Sequence, residues 1–286
     1  MLQASTIQLL RFHFSVFLMP VYWFALSQTP HIHTGDALLV FCILHLLLYP
    51  ASNGYNSYMD RDTGSIGGIK NPLAPTPELY RVSLLLDALA IALSFFISIR
   101  FASCAGLYML ASRAYSFRGI RLKKYPVGGY LTVIIFQGAL VFYMVMHGCS
   151  EARITNVPLT GMLTASLLIG GFYPLTQIYQ HEQDATDGVR SISSLLGYRG
   201  TFIFTGIVYF FAMCSLAFYL TSTLRPDHFF ILQVFFIPVL LFFFWWMRRV
   251  WKDPAEATFR RTMQMNILAS LCTNFAFITL LILEKR

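Results

Sequence analysis

Nine long apolar runs, separated by short segments that hold most of the charged residues, set the pattern of this 286-residue chain. A run of roughly 20 apolar residues suits a helix that crosses a bilayer, because each residue adds about 1.5 Å along the helix axis. The sequence therefore predicts an all-α membrane protein with nine transmembrane helices in a bundle. The runs cover about 8–27, 34–55, 80–99, 101–117, 126–147, 160–180, 201–222, 228–248 and 262–283.

The second and sixth runs end in two copies of one polar motif. Residues 49–64 read YPASNGYNSYMDRDTG and residues 173–188 read YPLTQIYQHEQDATDG, with a constant offset of 124 positions and five identities in sixteen. We therefore expect a four-helix internal repeat, with halves at about 1–124 and 125–248 and a ninth helix after them. The whole chain, 1–286, is expected to form a single integral-membrane domain.

Each copy carries two side-chain amides followed by one acid, at positions i, i+3 and i+7. This spacing places the three groups on one helical face if the helix continues that far. Because polar groups at membrane depth are costly, such a stripe is expected to line a cavity, and His45 and Tyr49 extend it inward. The amides and acids are Asn53, Asn56 and Asp60 in the first copy, and Gln177, Gln180 and Asp184 in the second.

The net charge of +8 comes from Lys and Arg residues that flank the apolar runs and do not form one basic stripe. No nucleic-acid partner is therefore expected. With nine spans, 16 of the 21 Lys and Arg residues fall on one side of the membrane. The positive-inside rule then places both motifs in the cytoplasm of a multi-pass protein, which in a bacterium would occupy the inner membrane.

The residue types at the two motifs favour a divalent metal with an anionic ligand. Mg²⁺ takes hard oxygen ligands, usually one or two carboxylates completed by phosphates and water. The seven histidines show no paired spacing of the kind that zinc sites use. The candidate ligands are Asn56, Asp60, Asp62, Gln180, Glu182, Asp184 and Asp187.

A dense basic cluster lies between the fourth and fifth runs, and it can either anchor the chain at the membrane or bind a diphosphate. Lys70 is open to the same two interpretations, and Asp87, a lone acid in the third run, either lines the cavity or reaches the interface. The candidate diphosphate ligands are Arg61, Lys70, Tyr115, Arg118, Arg121, Lys123, Lys124 and Arg190.

Three of these stretches together resemble the UbiA-type intramembrane prenyltransferases. The family motif Asn-Asp-x-x-Asp-x-x-x-Asp is similar to residues 56–64, which keep Asn56 and the central Asp60. The second family motif, Asp-x-x-x-Asp with a following Gly and basic residue, is similar to residues 180–190, and the Tyr-Ser…Arg-Leu-Lys-Arg loop is similar to residues 115–124. Ser57, Gly64 and Gln180 stand where the family usually has acids.

The resemblance implies a bundle around a central cavity, in which the two motifs hold Mg²⁺ and the diphosphate of a polyprenyl donor. Asp60 and Asp184 would be the catalytic residues, and His45, Tyr49, Asn53 and Gln177 would line the substrate cavity. The acceptor would be lipid-soluble or aromatic, reached from the membrane lipid. Two other interpretations are a secondary transporter and a non-catalytic homologue that binds prenyl lipids.

Overall fold

The computed structural model describes residues 2–223 and 225–284, and nine long helices account for most of them. Several of these helices contain short irregular turns, so that α1, α2 and α5 each combine three shorter helical segments. The helices are α1 Ala4–Ser27, α2 Thr34–Asp60, α3 Pro77–Ile97, α4 Ile99–Ser116, α5 Pro126–Cys149, α6 Leu159–Thr176, α7 Ile192–Ser222, α8 Pro226–Lys252 and α9 Phe259–Glu284.

Eight of the helices in the described ranges are long and apolar enough to cross a membrane. The exception is α4, whose 18 residues include Arg100 and Arg113. The all-helical membrane fold is thus confirmed, whereas the count of nine spans is not. Charged residues at both ends of a helix that is only just long enough account for the difference, because they shorten its apolar centre.

The helices pack in chain order around a ring, and α9 returns to contact α1. The closure is made by aromatic side chains: Phe24 of α1 stacks on Phe277 of α9 at a centroid distance of 4.7 Å and contacts Phe142 of α5 at 5.0 Å. Between α5 and α6 the backbones approach so closely that a Cβ on Gly138 would lie 2.5 Å from Cα of Ser166. Only glycine fits that crossing.

Local sequence signals set several helix ends. Proline occupies the first turn of α3, α5 and α8, where its missing N–H has no helical partner to lose. The chain turns from α3 into α4 at Ser98, which has extended backbone angles and accepts a 3.0 Å hydrogen bond from the N–H of Phe101. The segment between α2 and α3 is not helical, as its glycines and prolines predict.

The two motif copies differ in backbone structure. The first continues as helix to Asp60, after a seven-residue π-helical segment, Cys42–Leu48, that ends two residues before Pro50. In the second, the sixth helix was predicted to reach residue 180 but ends at Thr176, two residues after Pro174, and a separate short helix, His181–Thr186, carries the acid. A proline ring clashes with the preceding turn, and only the first copy has a widened turn to receive it.

The expectation of one polar helical face is therefore confirmed for the first copy and wrong for the second. Gln177 and Gln180 lie in the turns between α6 and the short helix, and Asp184 lies on the short helix itself. The four-helix repeat and its boundaries remain a prediction from the sequence.

Asp87, the lone acid of the third run, is paired inside the protein. Its carboxylate contacts the guanidinium of Arg113 on α4, and that guanidinium lies 3.8 Å from the ring centroid of Tyr55 on α2. Asp87 therefore joins α2, α3 and α4 and is not one of the residues that line the central cavity described below.

Candidate active site

Asp60, the last residue of α2, forms the centre of the site, and its side chain is only 2% exposed. Nδ2 of Asn56, one helical turn earlier, donates to Oδ2 of Asp60 at 2.8 Å and also to Oγ of Ser116 at 3.0 Å. Nζ of Lys123 lies 2.5 Å from the same Oδ2. Oδ1 of Asp60 is buried and has no hydrogen-bond partner in the described chain.

The basic segment after α4 brings its cations to both motif copies. Arg121, with φ at 52°, opens the turn Leu122–Lys124, and its guanidinium pairs with the carboxylate of Asp187 and lies 3.8 Å from Oδ1 of Asp60. Arg118 donates from Nε to the carbonyl oxygen of Met59 at 2.8 Å. The segment thus holds the end of α2 against the residues that follow the short helix.

Direct hydrogen bonds also join the two motif copies. Nε2 of Gln183 donates to Oδ1 of Asp62 at 2.8 Å, and Nε2 of Gln180 donates to the carbonyl oxygen of Ser65 at 3.2 Å. The two motif copies, which are offset by 124 positions in sequence, are therefore in contact in the folded protein. We refer to the region enclosed by the ends of α2, α4 and the short helix as the acid mouth.

The carboxylates of the acid mouth influence one another. The pKa of Asp184 is raised to about 6, chiefly by burial; Lys123 acts in the opposite direction, and the charges of Asp62 and Asp60 add to the increase. Burial also raises the pKa of Asp62, as does the nearby charge of Asp60, while Lys123 again lowers it. Three acids from two distant stretches are therefore within electrostatic reach of one lysine.

Arg11 is a site residue that the sequence pattern did not reveal, since it falls in the first apolar run and outside both motif copies. It interrupts α1 with φ at 50° and is buried. Its guanidinium donates only to neutral oxygens, the carbonyls of Gly67 and Asn53 and Oδ1 of Asn56, at 3.4, 3.3 and 3.4 Å. Nε has no partner in the described chain. A charged residue inside an apolar run, here at the fourth position of residues 8–27, was the available signal.

A cavity of about 210 Å³ lies beneath the acid mouth, inside the ring of helices. In its wall the hydroxyls of Tyr115 and Tyr173 lie 2.5 Å apart, and Nε2 of Gln177 donates to Tyr173 at 2.9 Å. Its polar lining comprises Arg11, Asn53, Asn56, Tyr115, Tyr173 and Asn266, among others. The expected central cavity is present.

A second, almost wholly apolar cavity of about 380 Å³ adjoins the first and is formed by α1, α6, α7, α8 and α9. Phe17, Ile169 and Phe172 line both cavities and stand between them. The central cavity is therefore bordered by apolar walls suited to a hydrocarbon chain.

Three residues expected to line the cavity lie behind its wall. His45 is buried in the core, with Nδ1 2.7 Å from Oγ of Ser15, and Tyr49 packs between His45 and Tyr108. Gln177 contacts the cavity only through Tyr173. Of the four residues expected there, Asn53 is the one that contributes directly to the wall.

Other predicted ligands lie at the outer edge of the acid mouth. Arg61 stacks over Tyr58 at 5.8 Å from the ring centroid, and Lys124 lies 4.9 Å from that of Tyr125. The exposed group consists of Arg61, Lys70, Lys124, Glu182 and Arg190. Arg121 and Lys123 form the inner group, within reach of the Asp60 carboxylate. Arg118, whose side chain is 52% exposed, donates to the backbone carbonyl oxygen of Asp60 at 3.2 Å.

The donor atoms fit Mg²⁺ when a phosphate completes the coordination. In the described ranges no three His, Cys, Asp or Glu side chains form a metal-binding group by themselves. Oδ1 of Asp60 is nevertheless buried and has no hydrogen-bond partner in the described chain, and Asp62 and Asp184 are close enough to act on the same charges. Mg²⁺ in proteins is commonly coordinated by one or two carboxylates, with water and substrate phosphate in the other positions. The carboxylates of the acid mouth can provide such a ligand set.

Comparisons with known proteins identify the fold and the family. No curated protein matches the chain. The solved structure of a UbiA homolog from Archaeoglobus fulgidus bound to DMAPP and Mg²⁺ has 18% sequence identity and a TM-score of 0.71, over 96% of this chain and 99% of that one. The apo structure of a UbiA homolog from Aeropyrum pernix K1 has 18% identity and a TM-score of 0.70, over 96% and 99%.

A solved digeranylgeranylglyceryl phosphate synthase has 20% identity and a TM-score of 0.62, over 97% of this chain and 98% of that one. At such low identity these likenesses establish the fold. The sequence model of the UbiA prenyltransferase family matches residues 17–268, which is most of the chain. The protein therefore belongs to the UbiA prenyltransferase family.

Proposed function

We propose that this protein transfers a polyprenyl group from a prenyl diphosphate to a lipid-soluble or aromatic acceptor within the membrane, with Mg²⁺ as cofactor. The observation that carries the proposal is the meeting of both motif copies and the basic segment at Asp60. Nζ of Lys123 reaches this carboxylate at 2.5 Å, and Arg121 lies 3.8 Å from it. Acids and cations are interleaved there as a metal and a diphosphate require.

Asp60 and Asp184, assisted by Asp62 and the amide oxygens of Asn56 and Gln180, would hold the metal. When bound, Mg²⁺ neutralises charge on the diphosphate. Glu182 and Asp187 belong to the same proposed set, although Asp187 is already paired with Arg121 and so acts by positioning that guanidinium.

Arg118, Arg121 and Lys123 would bind the diphosphate directly. Four exposed cations at the outer edge of the acid mouth would attract the diphosphate to the site: Arg61, Lys70, Lys124 and Arg190. As the allylic C–O bond breaks, its electron pair leaves with the diphosphate, and fixed cations stabilise the charge that develops. Because donors on a rigid frame need no reorganisation during the reaction, they stabilise this charge better than water would.

The allylic carbon is then attacked by a nucleophilic atom of the acceptor, which afterwards loses a proton. The central cavity would hold the reacting ends, and Tyr115 lies in its wall next to the diphosphate position. The adjoining apolar cavity offers room for isoprenoid chain. Apolar walls also exclude water, which would otherwise capture the allylic cation.

The protein would be a multi-pass protein of the inner membrane if its source is bacterial, with the acid mouth facing the cytoplasm. The distribution of Lys and Arg along the chain supports this orientation. The donor and acceptor would then enter from the membrane lipid and the cytoplasmic interface.

Diphosphate release by the purified protein, measured with donors of several chain lengths and with or without Mg²⁺, tests the proposal. We expect Mg²⁺-dependent release, lost in Asp60→Asn and weakened in Arg121→Ala. Donor binding without release would indicate a non-catalytic lipid-binding protein. Transport of an intact substrate without bond cleavage would indicate a transporter, and either result would overturn the proposed reaction.

A further inference from the structure

Three hydrogen-bonding side chains form a row that reaches the central cavity from behind its wall. Nε2 of Gln177, in the turn after α6, donates to the hydroxyl of Tyr173 at 2.9 Å, and this hydroxyl lies 2.5 Å from that of Tyr115 on α4. Tyr115 and Tyr173 line the cavity, and Gln177 lies behind them. The second motif copy is thus connected to the cavity through Tyr115 as well as through its acids.

The first motif copy has the same residue types in a different arrangement. Tyr49 corresponds to Tyr173 at the offset of 124 positions, and it is buried in the core with a side chain that packs on neighbouring rings. Asn53 corresponds to Gln177 and lines the cavity itself. The row that ends at Tyr115 is therefore not a simple consequence of the sequence repeat.

The amide of Gln177 determines the direction of the hydrogen bonds along this row. A tyrosine hydroxyl has one proton to donate. Because the oxygen of Tyr173 accepts from Nε2 of Gln177, its own proton is left for the oxygen of Tyr115. The proton of Tyr115 is then available to a group inside the cavity.

The acids of the mouth favour the same direction. The charges of Asp60 and Asp184 act on the hydroxyl of Tyr115, and the next residue, Ser116, accepts a 3.0 Å hydrogen bond from Asn56 beside Asp60. A hydroxyl near negative charge is stabilised when its proton, and not its lone pairs, points toward that charge. Tyr115 therefore presents a hydrogen-bond donor to the region in which a diphosphate would bind.

We propose that Tyr173 and Gln177 are positioning residues, which hold the hydroxyl of Tyr115 with its proton directed at the diphosphate of the donor. This inference rests on the proposed function. Negative charge increases on the diphosphate as the allylic C–O bond breaks, so a donor that is already oriented stabilises the transition state more than the bound substrate. Tyr115 donates a hydrogen bond and keeps its proton, and the electron pair of the C–O bond leaves with the diphosphate.

Diphosphate release from geranyl diphosphate with Mg²⁺, measured on the purified full chain, tests this role. Tyr173→Phe and Gln177→Leu should each lower kcat about tenfold, roughly the effect of one hydrogen bond. Because the contact strengthens in the transition state, KM should change by less than about twofold. Melting temperatures provide the folding control.

A double-mutant cycle with Tyr115→Phe separates positioning from packing. If Tyr173 acts through Tyr115, Tyr173→Phe should have no further effect on kcat once the hydroxyl of Tyr115 is absent. A purely structural contribution would lower kcat by the same factor in both backgrounds. Tyr49→Phe, at the equivalent position of the first copy, is the matched control and should leave kcat unchanged.

Equal effects of Tyr173→Phe in the two backgrounds would overturn the positioning role. An unchanged or higher kcat in Tyr173→Phe would also overturn it, because it would show that the proton of Tyr115 is not directed by Tyr173 at the diphosphate. Both results leave the proposed function intact as long as the unmodified protein releases diphosphate. Absence of release by the unmodified protein would overturn the proposed function together with this inference.

Discussion

Nε2 of Gln183 donates a 2.8 Å hydrogen bond to Oδ1 of Asp62, and this contact joins the two motif copies across 121 residues of sequence. The neighbouring bond from Gln180 to the carbonyl of Ser65 makes the same connection a second time. The loop after α2 and the short helix after α6 therefore close over the cavity together. A substrate bound at Asp60 would contact both.

The two acids shared by the motif copies should be indispensable for turnover. Asp60→Asn and Asp184→Asn keep the shape of each side chain and remove the charge that a hard cation needs. We expect each variant to lose on the order of 10²-fold or more in rate while remaining folded. Steady-state diphosphate release, with circular dichroism as the folding control, measures this. Near-normal activity in both variants would exclude the proposed mechanism.

Asp184 should make the metal-free protein less stable at neutral pH. Burial raises its pKa from 3.8 to about 6, so the folded chain binds the proton more tightly than the unfolded chain. Stability is therefore lost as the pH rises through this interval, and the full loss applies above pH 6. Asp184→Asn cannot ionise, and we expect it to melt at a higher temperature than the unmodified protein at pH 7.5 and at a similar one near pH 4.

Thermal unfolding in detergent at the two pH values tests this expectation. Addition of Mg²⁺ provides the control, since it should stabilise the unmodified protein by mass action and leave Asp184→Asn nearly unchanged. A variant that melts lower at pH 7.5 without metal would show that the charged form is not disfavoured in the fold.

Arg11 should contribute to binding of an anionic substrate. Its buried guanidinium lines the cavity and contacts only neutral oxygens in the described chain. Arg11→Met should lower donor affinity about tenfold, the cost of one charge-assisted contact, without lowering the melting temperature. Arg11→Lys should retain part of the affinity. Unchanged donor affinity in Arg11→Met would show that Arg11 does not bind the donor and only packs against its neighbours.

Asp87 and Arg113 should matter for stability and not for chemistry. Asp87→Asn leaves the buried guanidinium of Arg113 without its counter-charge, at a cost of about 3 kcal/mol. The double variant Asp87→Asn with Arg113→Met removes both charges and should recover much of that loss. Melting temperatures, compared with the specific activity of the folded fraction, test this. A loss of activity without a loss of stability would place Asp87 in the site.

The acid mouth should face the cytoplasm. Cysteines at Ser65 and Thr186, in a background without the five native cysteines, should react with an impermeant maleimide only from the cytoplasmic side. A cysteine at Glu151, in the loop between α5 and α6, should react only from the other side. Labelling of Ser65→Cys from outside would show that the acid mouth faces away from the cytoplasm.

The sequence by itself determined the class of fold, most of the helices, the loop after α2 and the repeated acid motif. Apolar runs of bilayer length leave few alternatives to helix, because a lipid-exposed backbone must satisfy its own hydrogen bonds. Glycines and prolines are spread through residues 61–76 with no apolar run around them, so the break there also follows from local chemistry.

Only the tertiary structure decided where the second motif leaves its helix and which charges meet. Pro50 and Pro174 are the same residue at equivalent positions, yet a π-helical segment precedes only the first. Lys123 and Lys124 are neighbours in sequence, but the first reaches Asp60 and the second lies over Tyr125 at the surface. The direction of a side chain from a turn depends on what packs against that turn, and here Gly129 on α5 provides that contact.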